Sequence, residues 1–500
     1  MATAPTEAAP TTRRAARGGL ANLAGAAYSG GASFLITAVI ARISPTEDAG
    51  VYFAAMSIML IAITLAQLGT PVGYVYFLAR YRGLQRDDLL RPALASGAMP
   101  VAVVAVVAAG AGIVFRVPLA RALFGPDVAE GPGIVAIIAG VLLVGICAES
   151  SLAATRGLGV MRPTVVTDKF LNPTVQLLAL AFLALAGWTG SQELVLTRGA
   201  GFLAAALLAL PWLRARLARH PGHRRWRPRA TQVREFWAFT GPRALGQVAQ
   251  VGIQRVDIVL VALWLSPTEA AIYAAATRFL VFGQLAARSI SLAIQPHVSS
   301  LTARGRPEAL RDLYRTSTAW IMFATWPLYL TFAVHAGDLM KVFGPAYAPG
   351  ALVLQILSGC MLVATACGAV DAVLVMAGRS DLTMINAWVA LAVNIGVNAW
   401  LIPRLGILGA TAAWAAAIFA TNIVPLIQVK VTLGFHPVGR LPALAAGTSL
   451  ALFFAVPLAV RALTSSLIAT AAATAAVAGI YAVLVWRWRG ALGIAGVLRR

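Results

Sequence analysis

Long unbroken apolar runs are the feature that most restricts what this chain can fold into. There are about fourteen of them, each about 20 residues long, which is the length that a helix needs to cross a membrane. Backbone groups in hydrocarbon must be satisfied within their own segment, so such runs are helices, whereas a barrel would show short alternating strands. We therefore predict an all-α polytopic membrane protein. The predicted spans are residues 19–41, 50–72, 93–115, 132–154, 165–188, 194–213, 236–264, 270–295, 316–335, 350–376, 383–402, 407–428, 441–460 and 466–486.

The composition and the placement of basic residues agree with this prediction. The chain is 59% hydrophobic and 12% charged, whereas a soluble domain is about half apolar and about a quarter charged. A formal net charge of +22 is a level common in nucleic-acid-binding proteins. Most of the basic residues, however, fall in alternate loops, which predicts that those loops and both termini lie in the cytoplasm. Contact with anionic membrane lipids accounts for them, and we expect no nucleic-acid partner.

A long internal repeat divides the chain. The tetrapeptide at 44–47, Ser-Pro-Thr-Glu, recurs at 266–269, and a Phe-Gly-Pro motif at 124–126 recurs at 343–345. Both copies of each motif occupy the same place relative to the apolar runs, and the offset is 222 residues at the serine. An offset of six spans preserves orientation, so we predict two parallel six-helix lobes. In membrane transporters, substrates bind where such repeats meet.

The longest predicted cytoplasmic segment is basic and separates the lobes. The predicted divisions are a disordered cytoplasmic tail (1–17), an N-lobe of spans 1–6 (18–213), the basic linker (214–234), a C-lobe of spans 7–12 (235–430), spans 13 and 14 (431–486) and a cytoplasmic C-terminal tail (487–500). The last two spans have no counterpart in the first lobe, and their Ala, Leu and Val content predicts a lipid-facing addition.

The sequence offers little for an enzyme. Cys147, Cys360 and Cys367 all fall in apolar runs, and the five histidines are scattered among inner loops and span ends. No predicted outer loop exceeds about 20 residues, too few to enclose a catalytic site outside the membrane. We expect no catalytic residues, no metal site and no cofactor.

One face of predicted span 7 is polar along its length. Arg243, Gln247, Gln250, Gln254 and Asp257 follow at alternating steps of four and three residues, so they fall within an arc of roughly 80°. Charged groups in the membrane centre must face protein or water. This face is either a buried hydrogen-bonded seam between helices or the wall of a water-filled cavity, and three glutamines with two charges favour the cavity.

Further intramembrane arginines accompany that face. In span 8, Gln284, Arg288, Ser291 and Gln295 also share one side of the helix. The four arginines of this region are Arg243, Arg255, Arg278 and Arg288. Because a guanidinium is permanently charged and its fork matches phosphate oxygens, they suit an anionic, phosphate-bearing substrate. Alternatively, Arg255 pairs with a carboxylate on a neighbouring helix or lines the edge of the cavity, and Arg278 is snorkelling or capped within the bundle.

Two carboxylates occupy matched positions in the two lobes. Glu149 in span 4 and Asp371 in span 10 are 222 residues apart. Together with Asp257, they either balance the charge of the arginines or bind a coupling proton or sodium ion.

Several motifs carry a family resemblance. The stretch Arg-x-Ser-Pro-Thr-Glu-Asp-Ala-Gly-Val-Tyr at 42–52 resembles the opening of the oligosaccharide (O-antigen type) flippases. Asp257, residues 265–269 and Tyr273 resemble that family too, as do Asn394, Asn398, Ile402-Pro403 and residues 406–410 in spans 11 and 12. This polysaccharide transporter family belongs to a superfamily that also contains the lipid II flippases and the multidrug and toxin extrusion pumps.

The resemblance implies a function. It implies two lobes around a central cavity that opens alternately to either side, and a substrate of polyprenyl-diphosphate-linked oligosaccharide. It also implies that the protein lies in the bacterial plasma membrane and that polysaccharide polymerase or assembly proteins are its partners. The arginines named above would hold the diphosphate, and Gln247, Gln250 and Gln254 would face the sugars, with Gln284 on the neighbouring span. The alternatives are a lipid II or drug exporter of the same fold, a membrane-embedded glycan ligase or polymerase, and a non-transporting scaffold.

Overall fold

The protein is helical throughout the part of the chain that the structure describes. The structure, a computed structural model, describes residues 9–126, 128–219, 226–464, 466–490 and 492, with side chains from residue 24 onward. Parts of the predicted tails and linker lie outside these residues, namely 1–8, 220–225, 491 and 493–500. The chain divides into two compact units, Met1–Arg255 and Val256–Arg500.

The first unit contains eight complete α-helices within the described ranges. They are α1 (Ala9–Ile43), α2 (Thr46–Ala66), α3 (Thr70–Gly83), α4 (Leu90–Val114), α5 (Arg116–Phe124), α6 (Gly131–Gly157), α7 (Asn172–Ala186) and α8 (Ser191–Ala218), with a 3-10 turn at Asp87–Leu89 and a π-helical segment at Thr164–Leu171. Helix α6 packs against α3, α4 and α8. Helix α9 (Ala230–Trp264) contains the boundary between the units.

The second unit holds the remaining helices. They are α10 (Pro267–Arg278), α11 (Leu280–Ala303), α12 (Pro307–Val334), α13 (Ala336–Met340), α14 (Gly350–Ala366), α15 (Val370–Met376), α16 (Ser380–Leu405), α17 (Ile407–Leu433), α18 (Arg440–Leu450), α19 (Val456–Leu463) and α20 (Leu467–Arg487), with a 3-10 turn at Pro345–Tyr347 and a π-helical segment at Ala451–Ala455. Helices α16 and α17 form a long antiparallel pair, and α12 packs against α11, α14 and α18.

The predicted membrane spans are present. In the described residues, 13 helical segments are long and apolar enough to cross a membrane, and α10 with α11 makes a fourteenth span bent by 42°. Each matches one predicted apolar run in order. The prediction of an all-α polytopic membrane protein is therefore confirmed. The apolar windows of the last two spans are only 22% and 17% buried, so most of their surface is available to lipid.

The second span of each unit is broken, at a different place in each. In the first unit, α2 ends before Leu68 and Gly69, which have φ of 50° and 74°. A Cβ on Gly69 would come within 2.8 Å of the Ala244 side chain, so glycine permits both the backbone conformation and the close approach of α9. In the second unit, the bend lies at Phe279 between α10 and α11.

The repeated motifs form related structures. Gly125 and Gly344 of the two Phe-Gly-Pro copies both have positive φ, at 86° and 130°. Gly125 directly follows α5, and Gly344 directly precedes the 3-10 turn at Pro345–Tyr347. The two Ser-Pro-Thr-Glu copies differ slightly: Ser266 accepts a hydrogen bond from the backbone N–H of Glu269 and caps α10, whereas the Ser44 hydroxyl donates to the carbonyl of Ile40. The repeat thus marks helix boundaries in both units.

Aromatic packing holds the first turns of α9 inside the first unit. The Phe236 ring lies 5.8 Å from Tyr74 and 5.3 Å from Phe77, measured between centroids. The Trp237 indole N–H donates to the carbonyl of Ser96 at 3.1 Å. Glycines at 73 and 97 make room for this cluster, since a Cβ at either would meet Phe236 at 3.0 Å or less.

Candidate functional site

The polar face of α9 changes character along the helix. Arg243, Gln250 and Gln254 are exposed and Gln247 is half-buried. Asp257 is only 2% exposed. Most of this face is therefore open rather than buried in a seam of side-chain hydrogen bonds, while its last member is packed inside the second unit.

Arg243 is held in place by its own helix. Its Nη1 donates to the carbonyl of Phe239 at 2.8 Å, and its guanidinium carbon lies 3.7 Å from the centre of the Phe239 ring. A guanidinium stacked on an aromatic face retains donors that can bind oxygen atoms of an anion. The arrangement presents a fixed positive charge beside the exposed glutamines.

The other predicted substrate-binding residues lie on α9, α10 and α11. Arg255 is half-buried at the boundary of the two units, and Arg278 is half-buried at the end of α10, next to the bend. Gln284 and Arg288 are exposed, and both belong to α11. Their assignment to a substrate site stays a prediction.

Asp257 is the centre of a buried polar cluster. The Tyr273 hydroxyl donates to its Oδ2 at 3.1 Å, and the Asn398 Nδ2 donates to its Oδ1 at 3.0 Å. Asn398 Nδ2 also lies 3.1 Å from Asn394 Oδ1. All four side chains are 2% exposed or less. These residues come from three separate parts of the chain, on α9, α10 and α16.

This cluster contains an acidic side chain without a basic partner. No hydrogen bond or ion pair between Asp257 and an arginine or lysine is present in the described residues. Asn398 Oδ1, a buried acceptor, has no partner there either. Carboxylate and amide oxygens together suit a small hard cation or a proton. The group is therefore a candidate site for ion binding.

The first unit contains a matching cluster in which a basic residue takes the place of the acid. Asn172 and Gln176 stand 222 positions before Asn394 and Asn398, and both are 2% exposed. Gln176 Nε2 donates to the hydroxyl of Tyr52, which is the repeat counterpart of Tyr273, at 2.7 Å. Arg198 on α8 donates to Asn172 Oδ1 at 3.1 Å and to Gln176 Oε1 at 3.3 Å. A guanidinium thus completes in one unit the amide cluster that a carboxylate completes in the other.

The matched acids Glu149 and Asp371 lie in unlike surroundings. Glu149 Oε2 accepts a hydrogen bond of 2.6 Å from Gln67 at the break between α2 and α3. Asp371 begins α15, is exposed, and makes no hydrogen bond or ion pair within the described residues. Their role as coupling or charge-balancing groups stays a prediction.

Sequence reasoning missed the partners of Asp257 and the whole Arg198 cluster. Tyr273, Asn394 and Asn398 stood out only as repeat or family motifs. A usable signal was present, because Asn394 and Asn398 are intramembrane amides four residues apart on one helix face. The positions 222 residues earlier, at the repeat offset, are Asn172 and Gln176, which are again two amides four residues apart.

Two family models match the chain. The model described as "Polysaccharide biosynthesis protein" matches residues 15–302, and the MatE model matches residues 242–400. No curated protein matches the chain by sequence. The first match covers more than half of the chain and includes both clusters except for the two asparagines of α16.

Solved transporters share the fold. A lipid II flippase MurJ in an inward closed conformation has a TM-score of 0.72 at 12% identity, over 93% of this chain and 98% of that one. An inward-facing MATE family multidrug resistance transporter of the MOP superfamily has 0.67 at 12% identity, over 80% and 94%. A MOP superfamily transporter from Pyrococcus furiosus has 0.58 at 12% identity, over 84% and 95%.

Proposed function

Because this chain belongs to the family of polysaccharide biosynthesis proteins, we propose that it carries an oligosaccharide linked to polyprenyl diphosphate across the bacterial plasma membrane by alternating access. The family and the transporter fold identify a membrane flippase or exporter. In this proposal, both termini lie in the cytoplasm. The lipid-linked substrate and the surrounding lipids are its partners, and a polysaccharide polymerase or assembly protein receives the product.

The open polar face of α9 is the observation that carries the substrate class. Arg243 offers a fixed guanidinium, and Gln250 and Gln254 offer exposed amides on the same side of the helix. A diphosphate needs charge-assisted donors, and sugar hydroxyls need groups that both donate and accept. Arg288 and Gln284 repeat the combination on α11, and half-buried Arg255 and Arg278 add positive charge. The lipid tail stays in the bilayer while the polar head crosses.

An exporter of lipid II or of drugs is the second candidate. The MatE model matches residues 242–400, and the fold matches both a MurJ and MATE transporters. A pump for cationic drugs calls for exposed acidic groups along the transport path, whereas the exposed charged residue on the polar face of α9 is Arg243 and that on α11 is Arg288. Lipid II also bears a diphosphate, so the identity of the sugar separates these two flippase substrates.

We propose that Asp257 couples transport to an ion. Its neutral partners leave its charge free to be balanced by a proton or a sodium ion. Glu149 and Asp371 are kept as candidates for the same role or for balancing the arginines. A change of charge beside Tyr273 and the α16 asparagines would alter how α9, α10 and α16 pack together, which is a means of linking ion binding to conformation.

The test of the substrate class uses purified protein in vesicles. Arg243→Gln and Arg288→Gln each remove one charge from the proposed diphosphate site, while Arg234→Gln removes one from the opposite face of α9, about 180° away at 100° per residue. Translocation is measured as the exposure of a labelled polyprenyl-diphosphate oligosaccharide to an external glycosidase.

Each site variant should lower the rate at limiting substrate by roughly tenfold, the value of about one charge-assisted hydrogen bond. The Arg234→Gln control should translocate normally. Normal rates in both site variants would refute the anion site. Equal translocation of lipid II and of the oligosaccharide lipid would instead favour the second candidate.

A further inference from the structure

A groove on the first unit includes none of the residues on the polar face of α9. It is lined by α4, α6 and α8, and its apolar part has a volume of about 360 Å³. Ligand pockets in proteins have volumes of roughly 300–1,000 Å³. Its walls are mainly aliphatic, and large apolar side chains at its edge, including Val106 and Leu143, are 61% and 39% exposed. We call this surface the α4–α8 groove.

The groove ends at a pair of arginines. A second cavity of about 570 Å³ shares Leu213, Leu217 and Trp226 with the apolar part and adds Arg91 and Arg214. Arg91 lies at the start of α4 and Arg214 near the end of α8, so both belong to the same end of the helices. Neither makes a hydrogen bond or an ion pair with any residue that the structure describes. Two guanidinium groups without counterions complement one phosphate.

The length of the groove corresponds to one leaflet of a bilayer. Along α4 it is lined from Leu94 to Val106, which is about 18 Å at a rise of about 1.5 Å per residue. Half of a typical hydrocarbon core is about 15 Å. On α8 the lining is confined to residues 210–217, close to the arginines. The groove therefore has a charged end at the membrane surface and an apolar channel as deep as a single acyl chain.

A buried hydroxyl lies between these two ends. Ser150 lines the apolar part about two helical turns before the end of α6, and its hydroxyl is buried without a hydrogen-bond partner in the described residues. A hydroxyl at this depth can donate a hydrogen bond to the ester carbonyl oxygen of a glycerolipid. Apart from Ser150 and Ser151, few polar side chains line the apolar part, so the groove offers little to an oligosaccharide.

From this combination we propose that the α4–α8 groove binds an anionic glycerophospholipid of the leaflet at which α4 begins. Its phosphate lies between Arg91 and Arg214, an ester carbonyl accepts from Ser150, and one acyl chain fills the space along α4 and α6. The lipid is a bound component and not a transported one. The proposal does not depend on the identity of the transported substrate.

Native mass spectrometry of the full chain in detergent, with added dioleoylphosphatidylglycerol, tests this site. Arg91→Gln with Arg214→Gln should weaken binding by roughly tenfold or more, as expected for the loss of charge-assisted hydrogen bonds. The matched control, Arg216→Gln with Arg219→Gln, removes the same charge from residues that do not line the groove and should bind normally.

A second pair of variants tests the apolar part. Ala102→Phe places a ring in the groove and should weaken lipid binding to a similar extent, whereas Ala108→Phe, also on an exposed position of α4, should not. Dioleoylphosphatidylcholine should bind more weakly than phosphatidylglycerol. Equal binding by the site variants and their controls would overturn the proposal.

Two competitors distinguish the sources of the phosphate. Excess inorganic phosphate should leave the bound lipid in place, because most of the binding surface is apolar. A polyprenyl phosphate should compete poorly. If inorganic phosphate displaced the lipid, the site would be a free-anion site, and if polyprenyl phosphate bound more tightly with the same sensitivity to Ala102→Phe, it would belong to the transport path. Either result would overturn the proposal.

Discussion

The two repeated amide clusters differ in their one ionisable residue, which is basic in the first unit and acidic in the second. In the first unit Arg198 binds the amide oxygens of Asn172 and Gln176, and in the second Asp257 accepts from Asn398. The difference has a chemical consequence, because a guanidinium keeps its charge at every physiological pH while a carboxylate can be neutralised by a proton or a metal cation. Of these two clusters, the second can therefore be neutralised by a proton or a metal cation, and the first contains a permanent cation.

At this scale we expect Asp257→Asn to uncouple transport from ions. The substitution preserves the shape of the side chain and removes the charge, so the site would no longer bind a proton or sodium ion. In vesicles, translocation by the wild type should increase when a sodium or proton gradient is imposed, and translocation by Asp257→Asn should not. Asp312→Asn, at an exposed acid on α12, is the matched control. A variant that kept the full ion response would rule out Asp257 as the coupling residue.

Arg198→Met should destabilise the first unit. Methionine fills similar space but donates no hydrogen bond, so the buried oxygens of Asn172 and Gln176 would lose their donor. We expect a loss of roughly 1–3 kcal/mol in the free energy of unfolding. Thermal unfolding in detergent, followed by tryptophan fluorescence, measures it. Arg121→Met, at an exposed position of α5, should have little effect, and equal losses in both variants would contradict the cluster's structural role.

At the scale of elements, polar contacts attach the last two helices to the end of α12 and to α13. Arg461 on α19 donates to the carbonyl of Val334 at 2.5 Å and pairs with Asp338. The His335 ring lies 2.8 Å from the Thr474 hydroxyl of α20. Because most of the surface of these helices is open, these contacts are important for fixing their position.

This attachment should weaken in acid. Burial lowers the pKa of His335 from its ordinary value of 6.5, and the nearby Arg461 lowers it further. Since the folded protein favours the neutral ring, the unfolded state binds more protons and stability falls as the pH drops below about 6.5. The unfolding temperature should fall more between about pH 7.5 and about pH 5.5 in the wild type than in His335→Asn. An equal fall in both would show that this ring is not involved.

The elements themselves were largely predictable, and their interruptions were not. Apolar length located every span, because no other structure satisfies its backbone in a membrane. The breaks at Gly69 and Phe279 depend on tertiary contacts, such as the approach of Ala244, and no local signal distinguishes them from the many other glycines and aromatics. Likewise, the 3.6-residue period placed Asp257 on the polar face of α9, but its burial depends on Tyr273 and Asn398, which are distant in sequence.

At the scale of the whole molecule, duplication preserved the framework and let the chemistry diverge. The glycines with positive φ at 125 and 344, the tyrosines at 52 and 273 and the paired amides recur in both units. The charged residues differ: position 35, which is equivalent to Asp257, is leucine. Family resemblance predicted the fold because it depends on the shared features. It said less about the site because the charged residues that distinguish the units are not shared by the two copies of the repeat.

The distribution of basic residues makes a prediction about the topology of the whole chain. Positive loops are retained in the cytoplasm, so the segment around Arg229 should lie inside and the loop between α19 and α20 outside. In a variant with all three cysteines replaced by alanine, Arg229→Cys should react with a membrane-impermeant maleimide only after the cells are permeabilised. Leu463→Cys, at a position that is 86% exposed, should react in intact cells. The reverse labelling pattern would show that the protein has the opposite orientation in the membrane. The lipid-linked substrate would then be taken from the opposite leaflet.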